Sequence, residues 1–175
     1  MKKVIGAIVC LVVLLGGYAA AGPYMTLSAI KTGLVDQDTE KLSENIDFPV
    51  LRENLREQFM AAAMKKSGNE LEGNPFAGLA AGFAAKMVDG LLDTMVTPSG
   101  LASLMESKKS KEGEADGPVD RDKLFADAKL GYDSLDTFSV RVPNEKGEEL
   151  RLILKRQGLS WKLANVVIPL DEAGK

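Results

Sequence analysis

The sequence predicts an α+β domain behind a hydrophobic N-terminal helix, and three observations carry that prediction. Residues 4–21 form a run of about eighteen uncharged, mostly aliphatic positions directly after Met1-Lys2-Lys3. From Pro23 onward, apolar residues recur at helical spacing between capping and proline signals. From Leu135 the apolar period changes to two. The expected architecture is therefore several helices packed on a C-terminal three-stranded antiparallel meander.

As a helix, the first run reaches about 27 Å, close to the hydrocarbon thickness of a bilayer. Lys2 and Lys3 behind it orient the chain with its N-terminus in the cytoplasm and the remainder translocated. Two readings of the run stay open. Ala19-Ala20-Ala21 has the small-residue pattern that a signal peptidase cuts, here before Gly22. Against removal, no charge appears until Lys31, and Tyr24, Leu27, Ile30 and Leu34 continue near helical spacing. The expected organisation is residues 1–21 as a transmembrane anchor or signal peptide, and residues 22–175 as a single domain with a flexible loop near 107–118. Cys10 lies inside the apolar run without the preceding small residues of a lipoprotein signal.

Beyond the leader, a helix over about 23–35 leads to the turn Asp36-Gln37-Asp38, where Asp38 caps a short helix carrying Leu42 and Ile46. Asp47-Phe48-Pro49 starts a longer helix, with Asp47 as N-cap and Pro49 in the first turn, where a missing N–H costs nothing. Its buried stripe is Leu51, Leu55 and Phe59, and it ends near Lys65-Lys66, where positive charge suits the helix dipole. Residues 67–73 are polar and glycine-bearing, hence a loop. Asn74-Pro75 then opens a helix reaching about Val96.

The first half of that helix, residues 76–85, is filled with glycine and alanine between Phe76, Leu79 and Phe83, and Gly78 and Gly82 lie four apart. The spacing resembles a membrane helix-packing motif on a stretch too short to span. Close packing inside the domain competes there with contact to a partner helix. Thr97-Pro98 begins a short helix with Leu101, Leu104 and Met105 on one side, and Asp120 is expected to cap one or two turns through Leu124 and Phe125. In the sheet region, Phe138, Val140 and Val142, then Leu150, Leu152 and Leu154, then Trp161 and Leu163 alternate with polar residues. Arg141, Arg151 and Lys155 occupy the other face, as a solvated surface or an anion-binding strip.

Composition narrows the chemistry. The chain has 175 residues, no histidine, one cysteine and a formal net charge of -3. Without histidine, Ser-His-Asp and Cys-His catalysis and a Cys/His zinc site are excluded, and neither a metal nor a cofactor is expected. With Cys10 in the leader, the exported part has no disulfide to lean on. Interspersed charges give no electrostatic footprint for nucleic acid. Carboxylates are the remaining acid/base candidates: Asp89 with Asp93, four apart on one helix face and placed to hold a cation or a proton jointly, and Tyr132 with Asp133 and Asp136 at the start of the sheet. Such residues also commonly solvate a helix face or shape a turn.

Five segments taken in order resemble one known family: Gly22-Pro23-Tyr24, Ile46-Asp47-Phe48-Pro49-Val50-Leu51-Arg52, Val96-Thr97-Pro98-Ser99-Gly100-Leu101, Tyr132-Asp133-Ser134-Leu135-Asp136-Thr137-Phe138-Ser139-Val140 and Gly158-Leu159-Ser160-Trp161-Lys162-Leu163. This is the bacterial family catalogued as domain of unknown function 2939. The resemblance implies an envelope protein and supplies no reaction, ligand or catalytic residue. At fold level, helices before an antiparallel meander also resemble the nuclear transport factor 2-like and cystatin-like folds, which would license a pocket and not an activity.

The expected location is the bacterial inner membrane with a periplasmic domain, or the free periplasm after cleavage. The reading favours a non-catalytic binding or interaction module, partnered by the membrane through its first helix and by a protein or small apolar ligand. A membrane-associated scaffold using the Gly/Ala-rich helix over 75–96 is the alternative. A pocket enzyme using Tyr132, Asp133 and Asp136 is the third.

Overall fold

The computed structural model describes residues 2–67, 77–111, 125, 127–143 and 148–170. Among them, five helices precede one antiparallel sheet: α1 (Lys2–Asp36), α2 (Thr39–Asn45), α3 (Phe48–Ser67), α4 (Ala77–Met95), α5 (Pro98–Lys111), then β1 (Lys129–Ser134), β2 (Thr137–Pro143), β3 (Glu149–Gln157) and β4 (Ser160–Val167). The α+β class is as the sequence predicts. The strand count is not: four strands pair in the order β1-β2-β3-β4, where three were expected. The missed strand, β1, carries Gly131 and only two apolar residues, Leu130 and Tyr132, and all six of its residues are exposed at the sheet edge. An alternation that short does not stand out in a sequence.

Helix α1 runs through Pro23 without a break, although a proline inside a helix removes one backbone hydrogen bond. The Pro23 ring is fully buried, and its packing offsets that loss. Among the described residues no helix is long and apolar enough to cross a membrane. Within residues 4–21 the described side chains are those of Ile5, Gly6, Cys10, Gly16, Gly17, Ala20 and Ala21, all exposed.

The second half of α1 lies against the sheet. Thr26 donates from Oγ1 to the Trp161 carbonyl at 3.0 Å, and Gly22 sits so close to the Trp161 indole that a methyl group there would overlap it. The helix ends at Gln37, whose φ of 57° is left-handed, and the Asp38 N–H returns to the Gly33 carbonyl at 2.9 Å, closing a Schellman-type stop. Gly33 leaves room for Leu42, so α2 folds back onto α1.

The expected caps form. Asp38 accepts from the Lys41 N–H at 3.0 Å, Asp47 from the Val50 N–H at 3.3 Å and the Thr97 hydroxyl from the Gly100 N–H at 2.9 Å. Helix α5 continues to Lys111, into the stretch expected as a loop; lysine and glutamate are good helix formers, so polar composition alone misjudged it. The expected turns at 120–124 lie outside the described residues.

In the sheet, Phe138 faces Leu154, Val140 faces Leu152, and Leu154 faces Leu163. A bulge around Ala164 follows that last pair. Gly158, with φ 66°, opens the two-residue loop between β3 and β4, the φ pattern of a type II′ hairpin turn. Residue Asn54 donates to the Ala164 carbonyl at 2.9 Å, and Gln58 bonds both the Val166 carbonyl at 3.0 Å and the Ile168 N–H at 3.1 Å. These amides from α3 satisfy backbone along β4 that no further strand pairs.

Among the described residues the buried apolar side chains form one cluster. Leu27 and Ile30 of α1, Leu42 of α2, Leu51 and Leu55 of α3, and Phe138, Val140, Leu154 and Leu163 of the sheet all belong to it. Among the described side chains, helix α4 adds Leu92, with Val88 packed partly against the cluster and Val96 just beyond the helix, while Leu79 and Phe83 of its N-terminal half stand outside it.

Candidate functional site

The three residues Tyr132, Asp133 and Asp136 do not share a pocket, because neighbouring side chains on a strand point to opposite faces. Tyr132 points inward. Its ring meets Phe138 at 5.0 Å and Trp161 at 5.7 Å, both edge-on, and its hydroxyl donates to the Ala20 carbonyl at 2.6 Å. Burial raises its pKa, so the group is a neutral donor engaged with α1.

Asp133 points to the outer face. It accepts from the Ser139 hydroxyl and from Arg151 at 2.6 Å, with Arg141 at 3.6 Å. The Ser139 hydrogen bond, then the Arg151 guanidinium, hold its carboxyl below the ordinary range. Asp136 sits in the β1–β2 turn and accepts from Ser134 at 2.5 Å and Thr137 at 2.8 Å, with Lys155 at 3.9 Å. Those two hydroxyls, then Lys155, lower its pKa as well. A general base needs a proton affinity matched to its task, whereas both carboxylates here are exposed anions committed to partners. They also neutralise part of the Arg141, Arg151 and Lys155 strip.

Asp89 and Asp93 are brought together differently from a shared cation site. Asp89 pairs with Arg56 at 2.5 Å and Asp93 with Arg52 at 3.2 Å, so the two acids rivet the C-terminal half of α4 to α3. The Asp89 hydrogen bond raises the Arg56 pKa further. Among the described residues, no group of three or more metal-ligating side chains is placed to hold a metal.

Among the described residues, the opposite side of α4 has no such partners. Leu79 is 73% exposed, Phe83 68%, Met87 54% and Leu91 56%, one every four residues along the helix. Gly90 lies on this side with open space where a Cβ would stand, whereas helical spacing turns Gly82 toward the Asp89 and Asp93 edge and Gly78 toward the side of Val96. Residue Phe76 lies outside the described residues. Sequence pattern found the upper half of this face, Leu79 and Phe83, but not its continuation through Met87 and Leu91. Those two alternate with Val88 and Leu92, which face the core, so α4 is apolar on both sides. A helix apolar all round is ordinarily buried all round.

A second feature is a cleft of about 640 Å³ beside the end of β4, walled by Ala61 and Ala62 of α3 and by Val167, Ile168 and Leu170, with Lys65, Glu148 and Glu149 at its margin. The alanines make the room. The cleft lies away from the buried contact between α1 and the sheet.

Residues 12–104 match the family described as a protein of unknown function, DUF2939. That match starts within α1, takes in α2, α3 and α4, and stops within α5, while two of the segments that suggested the family lie beyond it in the sheet. No curated protein and no solved structure matches the chain. Since the matched residues are more than half of its length, the chain belongs to the DUF2939 family.

Proposed function

We propose that this protein is a non-catalytic interaction module of the bacterial envelope, tethered by α1 with its domain on the periplasmic side, and that it docks a protein helix on the outer face of α4. The observation that carries the docking is the exposed row Leu79, Phe83, Met87 and Leu91. A row of large apolar side chains on one helix is a contiguous patch of the kind that marks an interaction site. The tether is supported by the uncharged residues 4–21 behind Lys2 and Lys3, and by the unbroken helix through Pro23. Because Ala20 and Gly22 already contact Tyr132 and Trp161, an anchor in residues 4–21 would hold the domain against the bilayer with no flexible linker between them. If the leader were cut before Gly22, the domain would be released to the periplasm.

The test is made in living bacteria on the full chain. A photo-crosslinking phenylalanine analogue at Phe83 is expected to give a protein adduct, while the same analogue at Lys162 on the sheet gives none. Equal yields from the two positions would refute the docking face. A phosphatase fused after Lys175 is expected to be active only if the domain is exported, and activity confined to cytosolic reporters would refute the placement.

The cleft beside β4 favours a second reading, binding of a small apolar ligand, since its volume falls in the range of small-molecule sites and its walls are largely aliphatic. Ala62→Trp would fill it, and loss of binding of an apolar fluorescent probe in that variant alone would support the reading.

A further inference from the structure

We propose that the helix covering the outer face of α4 is the α4 of a second copy of this chain, running antiparallel across a two-fold axis; the inference rests on α4 being the docking face. Three observations single out this occupant.

The first is shape. The face carries both halves of a close helix contact, large side chains at Leu79, Phe83, Met87 and Leu91, and an open small position among them at Gly90. A surface bearing its own knobs and its own gaps is self-complementary, as a two-fold interface must be.

The second is charge. Lys86 is the only charged residue of α4 before Asp89, and Asp93 lies seven residues beyond it, which puts both on the same edge of the exposed face. Reversing the partner about an axis near Met87 brings the two edges face to face, with the Lys86 of each copy about 7.5 Å along the helix from the level of the other copy's Asp93, on both sides of the axis. Although Asp93 contacts Arg52, its side chain remains 73% exposed and open to a further cation. A parallel pair would put the two Lys86 and Asp93 edges on opposite sides of the interface, where neither charge faces its opposite. A lipid surface fits less well, because interfacial helices flank their apolar stripe with several cations, and here one lysine shares the edge with an acid.

The third is area. Large apolar side chains expose roughly 150–250 Å² each, so at the observed exposures the four present on the order of 500 Å² per copy, or about 1,000 Å² for the pair. That is the lower bound for a specific interface, and it calls for a reversible dimer rather than an obligate one. Confinement of both copies to one membrane would raise their effective concentration and populate the pair.

The test uses the full chain with Cys10→Ser, in dodecyl maltoside micelles and in native membranes. A single Met87→Cys, near the proposed axis, should form a disulfide-linked dimer under mild oxidation. Leu79→Cys should not, because in an antiparallel pair the two copies of residue 79 lie more than about 20 Å apart. In sedimentation equilibrium without cysteines, the chain should self-associate, and Phe83→Asp should weaken it by about tenfold or more with an unchanged circular dichroism spectrum. Cross-linking at Leu79→Cys as strong as at Met87→Cys, or a dimer that Phe83→Asp leaves intact, overturns the proposal. A chain that stays monomeric also overturns it. In that case, a photo-adduct at Phe83 of a mass other than twice the chain leaves the docking face standing with a different partner, and the absence of any adduct removes both.

Discussion

At Gly22 a missing side chain fixes how α1 meets the sheet. The Trp161 indole occupies the space where a Cβ would project, and the Thr26 and Tyr132 hydroxyls bond across the same junction. Gly22→Ala is therefore expected to destabilise the domain by about 1–3 kcal/mol, the usual cost of overpacking, and a thermal melt would show it. A melt unchanged within error would mean that the contact is not as close as the structure has it. Trp161 was legible as an inward strand residue from its alternation with Lys162, but its contact with Gly22, 139 positions away in the chain, was not. The same holds for Tyr132 and Asp133. Their identities suggested a joint chemical role, and only the pleat, which turns one toward α1 and the other toward Arg151, assigns each to a separate network.

On the scale of single elements, α4 is the instructive case. Leu92 is buried in the core while Leu79 stands in the open, although both are leucines on one apolar helix. Leu92→Ala should cost about 2–5 kcal/mol of stability, whereas Leu79→Ser should change it by less than about 0.5 kcal/mol at concentrations where copies are dissociated. Chemical denaturation of the two variants checks the contrast, and a large loss from Leu79→Ser would mean that this face is packed within the chain. Helix starts were legible because caps are local chemistry: Asp38, Asp47 and Thr97 each bond a backbone N–H three residues on. Strand β1 was not, since its pairing with β2 more than its own pattern makes it a strand, and the extension of α5 to Lys111 was missed because polar composition stood for loop where lysine and glutamate favour helix.

For the whole molecule, the outer sheet face ties stability to pH. The carboxyls of Asp133 and Asp136 are held below the ordinary aspartate value of 3.8 by hydroxyls and cations that exist only in the folded chain. Their contribution is complete above that value and is lost as pH falls past it toward the folded pKa. The melting temperature should accordingly decline below about pH 4, and Asp133→Asn should make that decline shallower; an identical decline in the variant would relocate its origin. At the other end, burial holds the Tyr132 hydroxyl above its ordinary value of 10.0, so the stability of its neutral form is complete below that pH and is lost as pH rises through the raised folded pKa. By itself, the order of residues determined what depends on near neighbours: the apolar leader, the capped helix starts, the alternating strands, and the exclusion of histidine chemistry. Only the tertiary structure decided which of the two apolar sides of α4 enters the core, and that Asp89, Asp93 and Asp133 answer to guanidiniums, and Asp136 to two hydroxyls and Lys155, rather than to one another. The physical reason is that burial and ion pairing are set by what a distant segment brings alongside, and a one-dimensional pattern contains periodicity but not that partner.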